Sequence, residues 1–598
     1  MMNQITNTTH LCFVYIPKYK GITDIEIVVD PHYVCHYDKQ TKYLSIEKNH
    51  RIPDGFWGDG IHSVAAIVGN NGVGKSTAVE YILKAIVEGE DSRGIDGVIV
   101  YERGEELYVY SKDAIVLPSG MKIRRIDETE SICCLYYSGH FIPDSAGNIR
   151  CREFAENYNI SDGFLLLKDV QNYANRDYNW GGLSFFDHLL LYQTLNHIRI
   201  CRFISDMDFC DLLTGYISLK YVLVNVNQSG RYAQRDYERY VANIIEQAQV
   251  IPHFRIRHKD QREQALAVFV YNNFLSILFN ESHTTVDPET IRNLEEWLSF
   301  VNDTDSILEQ LNTFIKTKVN NSYLSGQLSF VHNALSRLKS LASFYPGIIE
   351  GGVFYLETSS DLEKIRELAD YMDKSPFLVS KIFDLAYAQD LDTDTILSSG
   401  EQGLLDLLSR LYYTIEKDCV KFCNLAAPAL LILDEAEHSF HPEWQRKYLN
   451  LLFAFVKRLN EKRKIKFQIL ITTHSPLLLS DLPLNCVSFM EKGSDLVSRT
   501  ANPDFSGTFA ANVFDLYRNS FFLSDGMIGA FAKKKLECLF EHAQNGTMTL
   551  EMMNEIDLIG DKRIRYALET AVERSNHITA KDYYQRKLDE LNRRNEDN

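Results

Sequence analysis

The sequence has no CxxC pair among its 11 cysteines, no apolar run approaching the roughly 18 residues of a membrane span, and no excess of positive charge. Each absence excludes something. Cys419 and Cys423 are one helical turn apart, and Cys133 and Cys134 are adjacent; neither spacing is that of a paired zinc site, and the thiols read as reduced. The longest apolar stretch, Ala429 to Leu433, ends at once in Asp434-Glu435, so no membrane partner is expected. The first residues, MMNQITNTTHLCFVYIP, have neither the charged start nor the apolar stretch of a secretory signal. These features predict a cytoplasmic protein. Lys and Arg number 63 against 81 Asp and Glu, a net charge of -18, which argues against wholesale coating of nucleic acid. The one basic cluster, Lys457 to Lys466, reads as a solvated helix-to-strand turn. No heptad pattern is sustained, which argues against a long coiled-coil arm, and no internal repeat is visible.

What is present is an ordinary globular composition, 45% hydrophobic and 24% charged, in a chain of 598 residues, long enough for several domains. Alternating segments in residues 10–50 (LCFVYI, IEIVVD, YLSIEK) predict a small antiparallel β-region. HSVAAIVG reads as a buried strand and STAVEYILKAIVEG as an amphipathic helix. The character then changes to helical, in FFDHLLLYQTLNHIRICRFI, RDYERYVANIIEQAQ, LEEWLSFV, SILEQLNTFIKTKV, QLSFVHNALSRLKSLASF and SSDLEKIRELADYM. The expected organisation is a head lobe over 1–150, a helical insertion over 151–395, a second head lobe over 396–500 and a mostly helical region over 501–598.

Four short elements carry chemistry. Gly69-Asn70-Asn71-Gly72-Val73-Gly74-Lys75-Ser76-Thr77 fits the phosphate-binding P-loop in full: glycines let the backbone N–H groups face phosphate oxygens, Lys75 reaches the outer phosphates, and Ser76 offers a hydroxyl to Mg2+. ALLIL-Asp434-Glu435 is too short for a helix and reads as a core strand, with Asp434 as a second Mg2+ ligand and Glu435 placed as the general base for water. LSSGEQ contributes Ser398, Gly400 and Glu401 at the start of a helix suited to anion binding, although taken alone it fits an ordinary helix N-cap equally well. ILITT-His474-SP ends a strand in a histidine placed to sense a terminal phosphate.

In this order the four elements resemble the ATP-binding-cassette ATPase head, and more narrowly its SMC-like and OLD-like branch. That resemblance implies an α/β fold: an ABC-type (P-loop) ATPase head with an N-terminal antiparallel β-region, a large helical insertion and a helical C-terminal tail. It implies ATP and Mg2+ as cofactors, and a homodimer or higher homo-oligomer in which two heads sandwich ATP. Ser398 and Gly400 would then meet the phosphate held by the partner head, His474 would be the switch histidine, Glu435 the catalytic glutamate, and residues 436–442 the loop crossing the interface. Tyr137-Ser138 falls where the family puts its Q-loop, but no glutamine is there. HSFHPEWQRKYLNLL, THSPLLLSDLP and GTFAANVFDLYRNSFFLSDGMIGAFAKKKL look like bacterial anti-phage ATPases of the Septu type. These act with an HNH-type nuclease, some beside retrons, which implies a nuclease partner and in such cases a reverse transcriptase with its DNA and RNA. The chain itself lacks the spaced acidic residues of an OLD-type nuclease domain after His474: Asp504, Asp515 and Asp525 are scattered. No metal-binding histidine cluster is visible either; His438 and His441 lie three apart on the interface loop and read as structural. An SMC-like DNA repair or maintenance ATPase, and a nucleotide-loaded scaffold with incidental turnover, are the competing readings.

Overall fold

In a computed structural model of the chain, the structure describes chiefly residues 9–139, 159–169, 185–226, 307–345, 353–520 and 529–575, with short gaps inside these ranges. The described residues fall into two units, Met1–Phe521 and Phe522–Asn598.

The first unit is built on one eleven-stranded mixed sheet. Its antiparallel wing starts with β1 (Thr9–Tyr19) and β2 (Ile22–Val28), beside which the hairpin β3 (Tyr33–Asp38) and β4 (Tyr43–Lys48) forms a separate ribbon. Then come β5 (Ile61–Val68), helix α1 (Lys75–Ile86), β6 (Val98–Arg103), β7 (Glu106–Ser111), β8 (Ile123–Ile126) and β9 (Cys134–Ser138). Next are α2 (Phe185–Ile204), α3 (Met207–Ile217), β10 (Tyr221–Val226), α4 (Ile307–Lys318), α5 (Ser322–Leu341), β11 (Ser343–Tyr345), β12 (Val353–Glu357), α6 (Leu362–Lys374), β13 (Phe383–Asp390) and β14 (Thr395–Ile396). The chain returns through α7 (Ser399–Lys417), β15 (Ala429–Asp434), α8 (Pro442–Arg463), β16 (Phe467–Thr473), β17 (Val487–Lys492) and β18 (Ser498–Ala501), and α9 (Val513–Ser520) follows. Strand order across the sheet is β8-β7-β6-β1-β2-β18-β17-β5-β16-β15-β9.

The centre of this sheet is parallel. β5 pairs β16, β16 pairs β15 and β15 pairs β9, all in the same direction. These strands are buried on both faces, which is why they read as near-continuous apolar runs and not as alternating ones. α1 buries Ala78, Val79, Ile82, Leu83, Ala85 and Ile86 in the core over the sheet. Each large aliphatic side chain so buried stabilises by roughly 1.5–3 kcal/mol. The fold is that of an ABC-type P-loop ATPase head.

The strands of the two expected head lobes join in one sheet, β15 to β18 with β1, β2 and β5 to β9. The structure departs from the expected organisation in two places. The middle region is not all helical: β11-β12-β10-β13-β14 form a five-stranded antiparallel sheet. These strands are three to eight residues long in the described stretch β10–β14 save a two-residue edge, too short to outweigh neighbouring helical periodicity in the sequence. The expected helices over 185–204, 307–318, 322–341 and 362–374 are present; RDYERYVANIIEQAQ and LEEWLSFV lie outside the described residues. The tail begins later than 501, since β18 and α9 belong to the first unit. The second unit is helical as expected: α10 (Ala530–Asn545), α11 (Leu550–Ile556) and α12 (Lys562–Arg574) gather around Leu539, Met553, Ile556 and Leu568. Among the described residues no helix is long and apolar enough to cross a membrane.

Candidate nucleotide site

In the parallel part of the sheet, Asp434 is in register with Thr472, and Thr473 with Val68. The carboxyl ends of β5, β15 and β16 therefore finish side by side, the edge where ligands bind in open α/β sheets. The P-loop leaves β5 there. Gly72 and Gly74 have φ of 80° and 89°, which a side chain resists. Gly69 is fixed by space instead, since a Cβ there would lie 2.4 Å from the carbonyl oxygen of Met490. The turn ends directly in α1, whose first residue is Lys75.

Lys75 is buried, and its ammonium donates to the carbonyls of Gly69 (2.9 Å) and Asn70 (3.1 Å). It also stands 2.9 Å from Oε1 of Glu435. The other Glu435 oxygen lies 3.7 Å from Nδ1 of His474, the separation of an ion pair and not of a hydrogen bond. That carboxylate raises the His474 pKa above the usual histidine value, against an opposing push from burial. Glu435 also holds a left-handed backbone, φ 47°, rare outside glycine and a form of strain concentrated at functional sites. Its N–H bonds Thr472 through both the carbonyl (3.2 Å) and the hydroxyl (3.0 Å).

Asp434 is buried at the end of β15. It accepts from the Ser76 hydroxyl (3.1 Å), the Thr472 hydroxyl (2.5 Å) and the Tyr136 hydroxyl (3.2 Å). Burial raises its pKa despite these donors, and the neighbouring Glu435 charge adds to the rise. A desolvated carboxylate beside a hydroxyl is a hard-oxygen pair, the donor chemistry of Mg2+. Ser76 and Asp434 thus fit the ion that the sequence assigns to them.

The predicted residues divide into two groups. Lys75, Ser76, Asp434, Glu435 and His474 are linked directly by the contacts above. Ser398, Gly400 and Glu401 form the start of α7, and the hydrogen bonds of Ser398 run to Glu401 of its own first turn, not to the P-loop. Together Ser398 and Glu401 make a capping box, and Glu401 also accepts from Gln389 (2.9 Å). The N-cap alternative is therefore realised. Glu401 is engaged within the fold, which leaves Ser398, exposed at the helix tip, as the outward polar group. Residues 436–442 close as a turn, with His438 N–H on the Glu435 carbonyl (3.1 Å) and His441 capping α8. Tyr136 of β9, just before Tyr137-Ser138, donates its hydroxyl to Asp434.

Sequence reasoning missed Tyr136, Thr472 and Glu437. Thr472 was legible in principle, since any residue two before His474 on the adjacent strand must lie beside Asp434. Glu437 is buried and accepts from the Thr473 hydroxyl, while its second oxygen has no hydrogen-bond partner. Burial pushes its carboxyl up to about 7.

Residues 304–480 match a family model described as "AAA domain, putative AbiEii toxin, Type IV TA system". The matched stretch holds the α7 signature, Asp434-Glu435 and His474, and does not include the P-loop. None of the curated proteins matches the sequence. Among solved structures, the recombination mediator protein RecF of the RecFOR pathway is similar in two nucleotide forms, with ATPrS and with ATP. Both are 12% identical with a TM-score of 0.20, covering 84% and 83% of this chain and 100% of the other. Likenesses of that size say nothing about what the chain binds or does. The P-loop, the buried acidic strand end and the matched segment define the class: an ATP-binding P-loop ATPase.

Proposed function

We propose that this chain is the Mg2+-dependent, ATP-hydrolysing subunit of a bacterial anti-phage defence complex, in which two heads close on ATP and control a partner HNH-type nuclease. The observation that carries the ATPase half is the Lys75–Glu435–His474 chain of charges beside Ser76 and Asp434. Ser76 and Asp434 would hold Mg2+, whose charge draws electron density from the phosphate oxygens. Lys75 stands 2.9 Å from Oε1 of Glu435, and while that ion pair is made the oxygen is not free to take a proton. Phosphate oxygens compete for the Lys75 ammonium, and its transfer to them releases Glu435 to accept a proton from the attacking water. His474, on the far side of Glu435, then orients the same carboxylate and offers its own N–H at the terminal phosphate. The exposed Ser398 and the N-terminal N–H groups of α7 point to a second head as the remaining donor set.

The defence half rests on the Septu-like segments around His441 and His474. The matched family's description, a toxin of a toxin–antitoxin system, is compatible with an ATP site that restrains a damaging effector. A reverse transcriptase with its DNA and RNA belongs to the same proposal where the chain occurs with a retron. Tagged Glu435→Gln protein, recovered from its native host with Mg-ATP, tests it. The variant should hold ATP, self-associate and retain a small nuclease identifiable by mass spectrometry. Recovery of recombination and repair proteins instead would favour a repair ATPase; self-association alone would favour a scaffold.

A further inference from the structure

A second chemical cluster lies at the other end of β5. His62 is seven residues before Gly69, so it stands roughly 23 Å from the P-loop along the strand. Here His10 and Cys12 of β1, Asp30 and His32 after β2, His62 of β5 and Glu102 of β6 converge. His10 and Glu102 are directly opposed across the β1–β6 ladder, and Cys12, two residues along β1, faces the same side of the sheet as His10. Nε2 of His10 is 3.1 Å from Asp30 Oδ2 and 3.2 Å from Glu102 Oε2. One ligand atom from each of His10, Cys12, Asp30 and Glu102 lies within 4.8 Å of all the others. Asp30 also takes His32 Nδ1 at 2.7 Å and His62 Nε2 at 3.0 Å.

We propose that His10, Cys12, Asp30 and Glu102 form a four-coordinate site for a divalent transition cation of the zinc class, with His32 and His62 orienting Asp30. Two arguments support it. The donor types, one imidazole, one thiol and two carboxylates, are those zinc takes. Bond lengths of about 2.0–2.3 Å place tetrahedral donors roughly 3.3–3.8 Å apart, so the observed separations need only small adjustments. The partly exposed His32, His62 and Glu102 side chains (28%, 29% and 17%) leave a path to solvent. The carboxylate–histidine contacts of His32 and His62 are the outer-sphere arrangement typical of metal ligands. None of this was legible as a motif, because the six residues come from four separate segments.

The test uses the full-length chain purified without chelator. Elemental analysis should find close to one zinc per chain. After chelation, added Co2+ should give the ligand-field bands of a four-coordinate site together with a sulfur-to-metal charge-transfer band. The nucleotide site offers only oxygen donors, so that band separates the two sites. Cys12→Ser should abolish the charge-transfer band, and His32→Gln or His62→Gln should weaken Co2+ binding about 10–100-fold. Substoichiometric metal with no four-coordinate Co2+ spectrum in the wild-type protein overturns the proposal, and so does such a spectrum without charge transfer. If Cys12→Ser does not fold, the wild-type spectrum decides.

Discussion

Glu437 gives the sharpest test of the geometry around the nucleotide site. Its side chain is buried behind the strand ends, held by the Thr473 hydroxyl, with the Tyr448 hydroxyl near it and also without a hydrogen-bond partner. Burial lifts its carboxyl from 4.5 to about 7; the Thr473 hydrogen bond and the His474 charge oppose the rise, and the Glu435 charge adds to it. A carboxyl whose pKa is higher in the folded chain binds its proton more tightly there. The associated stability is complete below the unfolded pKa and is lost as pH rises through about 7. A difference of about 2.5 units corresponds to about 3 kcal/mol, of which about 2 kcal/mol falls between about pH 5.5 and about pH 8.5. Glu437→Gln keeps the shape and the acceptor for Thr473 but cannot ionise. Thermal unfolding of both proteins across that range is the assay, because the titration of all other groups cancels in the difference. The variant should gain on the wild type as pH rises, most steeply near about pH 6, and the gain should level off above about pH 8. A difference that stays flat would refute the reasoning and mean that Glu437 reaches solvent or an unseen donor.

The Lys75–Glu435 pair should show strong coupling: Lys75→Ala is expected to abolish ATP binding by calorimetry, and it should cost the nucleotide-free fold about 3–5 kcal/mol by stranding a buried carboxylate, a cost that Glu435→Gln in the same chain relieves. Glu435→Gln alone should lower ATP turnover by about 10²–10⁴-fold in a phosphate-release assay while nucleotide binding persists. Gly69→Ala places a methyl against the Met490 carbonyl, so it should destabilise by about 1–3 kcal/mol and weaken ATP binding; a variant with unchanged melting and affinity would show that the P-loop can shift. Arg410, fully buried in α7, bonds Asp162 (2.6 Å), the Tyr192 hydroxyl (2.9 Å) and Asn196 (3.1 Å); Arg410→Met should cost about 3–5 kcal/mol in thermal unfolding, since it removes the cation that faces the Asp162 carboxylate.

The nucleotide site was legible because its chemistry is local. Gly72 and Gly74 occupy left-handed turns, Lys75 and Ser76 follow at fixed spacing, and Asp434-Glu435 ends an apolar run too short for a helix. A parallel strand buried on both faces carries the same message in sequence as in space, so strand, acid and switch histidine could be paired before any geometry was known. The signature helix was half legible. LSSGEQ announces an N-cap, and Glu401 proves to serve that cap, which the sequence leaves undivided from a ligand role. The five-stranded sheet in the middle region was hidden because its strands are short and separated by helices, whose periodicity dominates the stretch. Glu437 and the His10–Asp30 cluster were hidden for a further reason. Their chemistry is made by burial and by contacts across the sheet, and neither leaves a spacing in the chain. Tyr136 makes the same point from the other side: it precedes Tyr137-Ser138, where a glutamine was sought, and only the β9–β15 pairing brings its hydroxyl to Asp434. Local patterns thus mark the candidate phosphate and metal ligands, whereas the groups that set protonation and tension around them are fixed by the sheet.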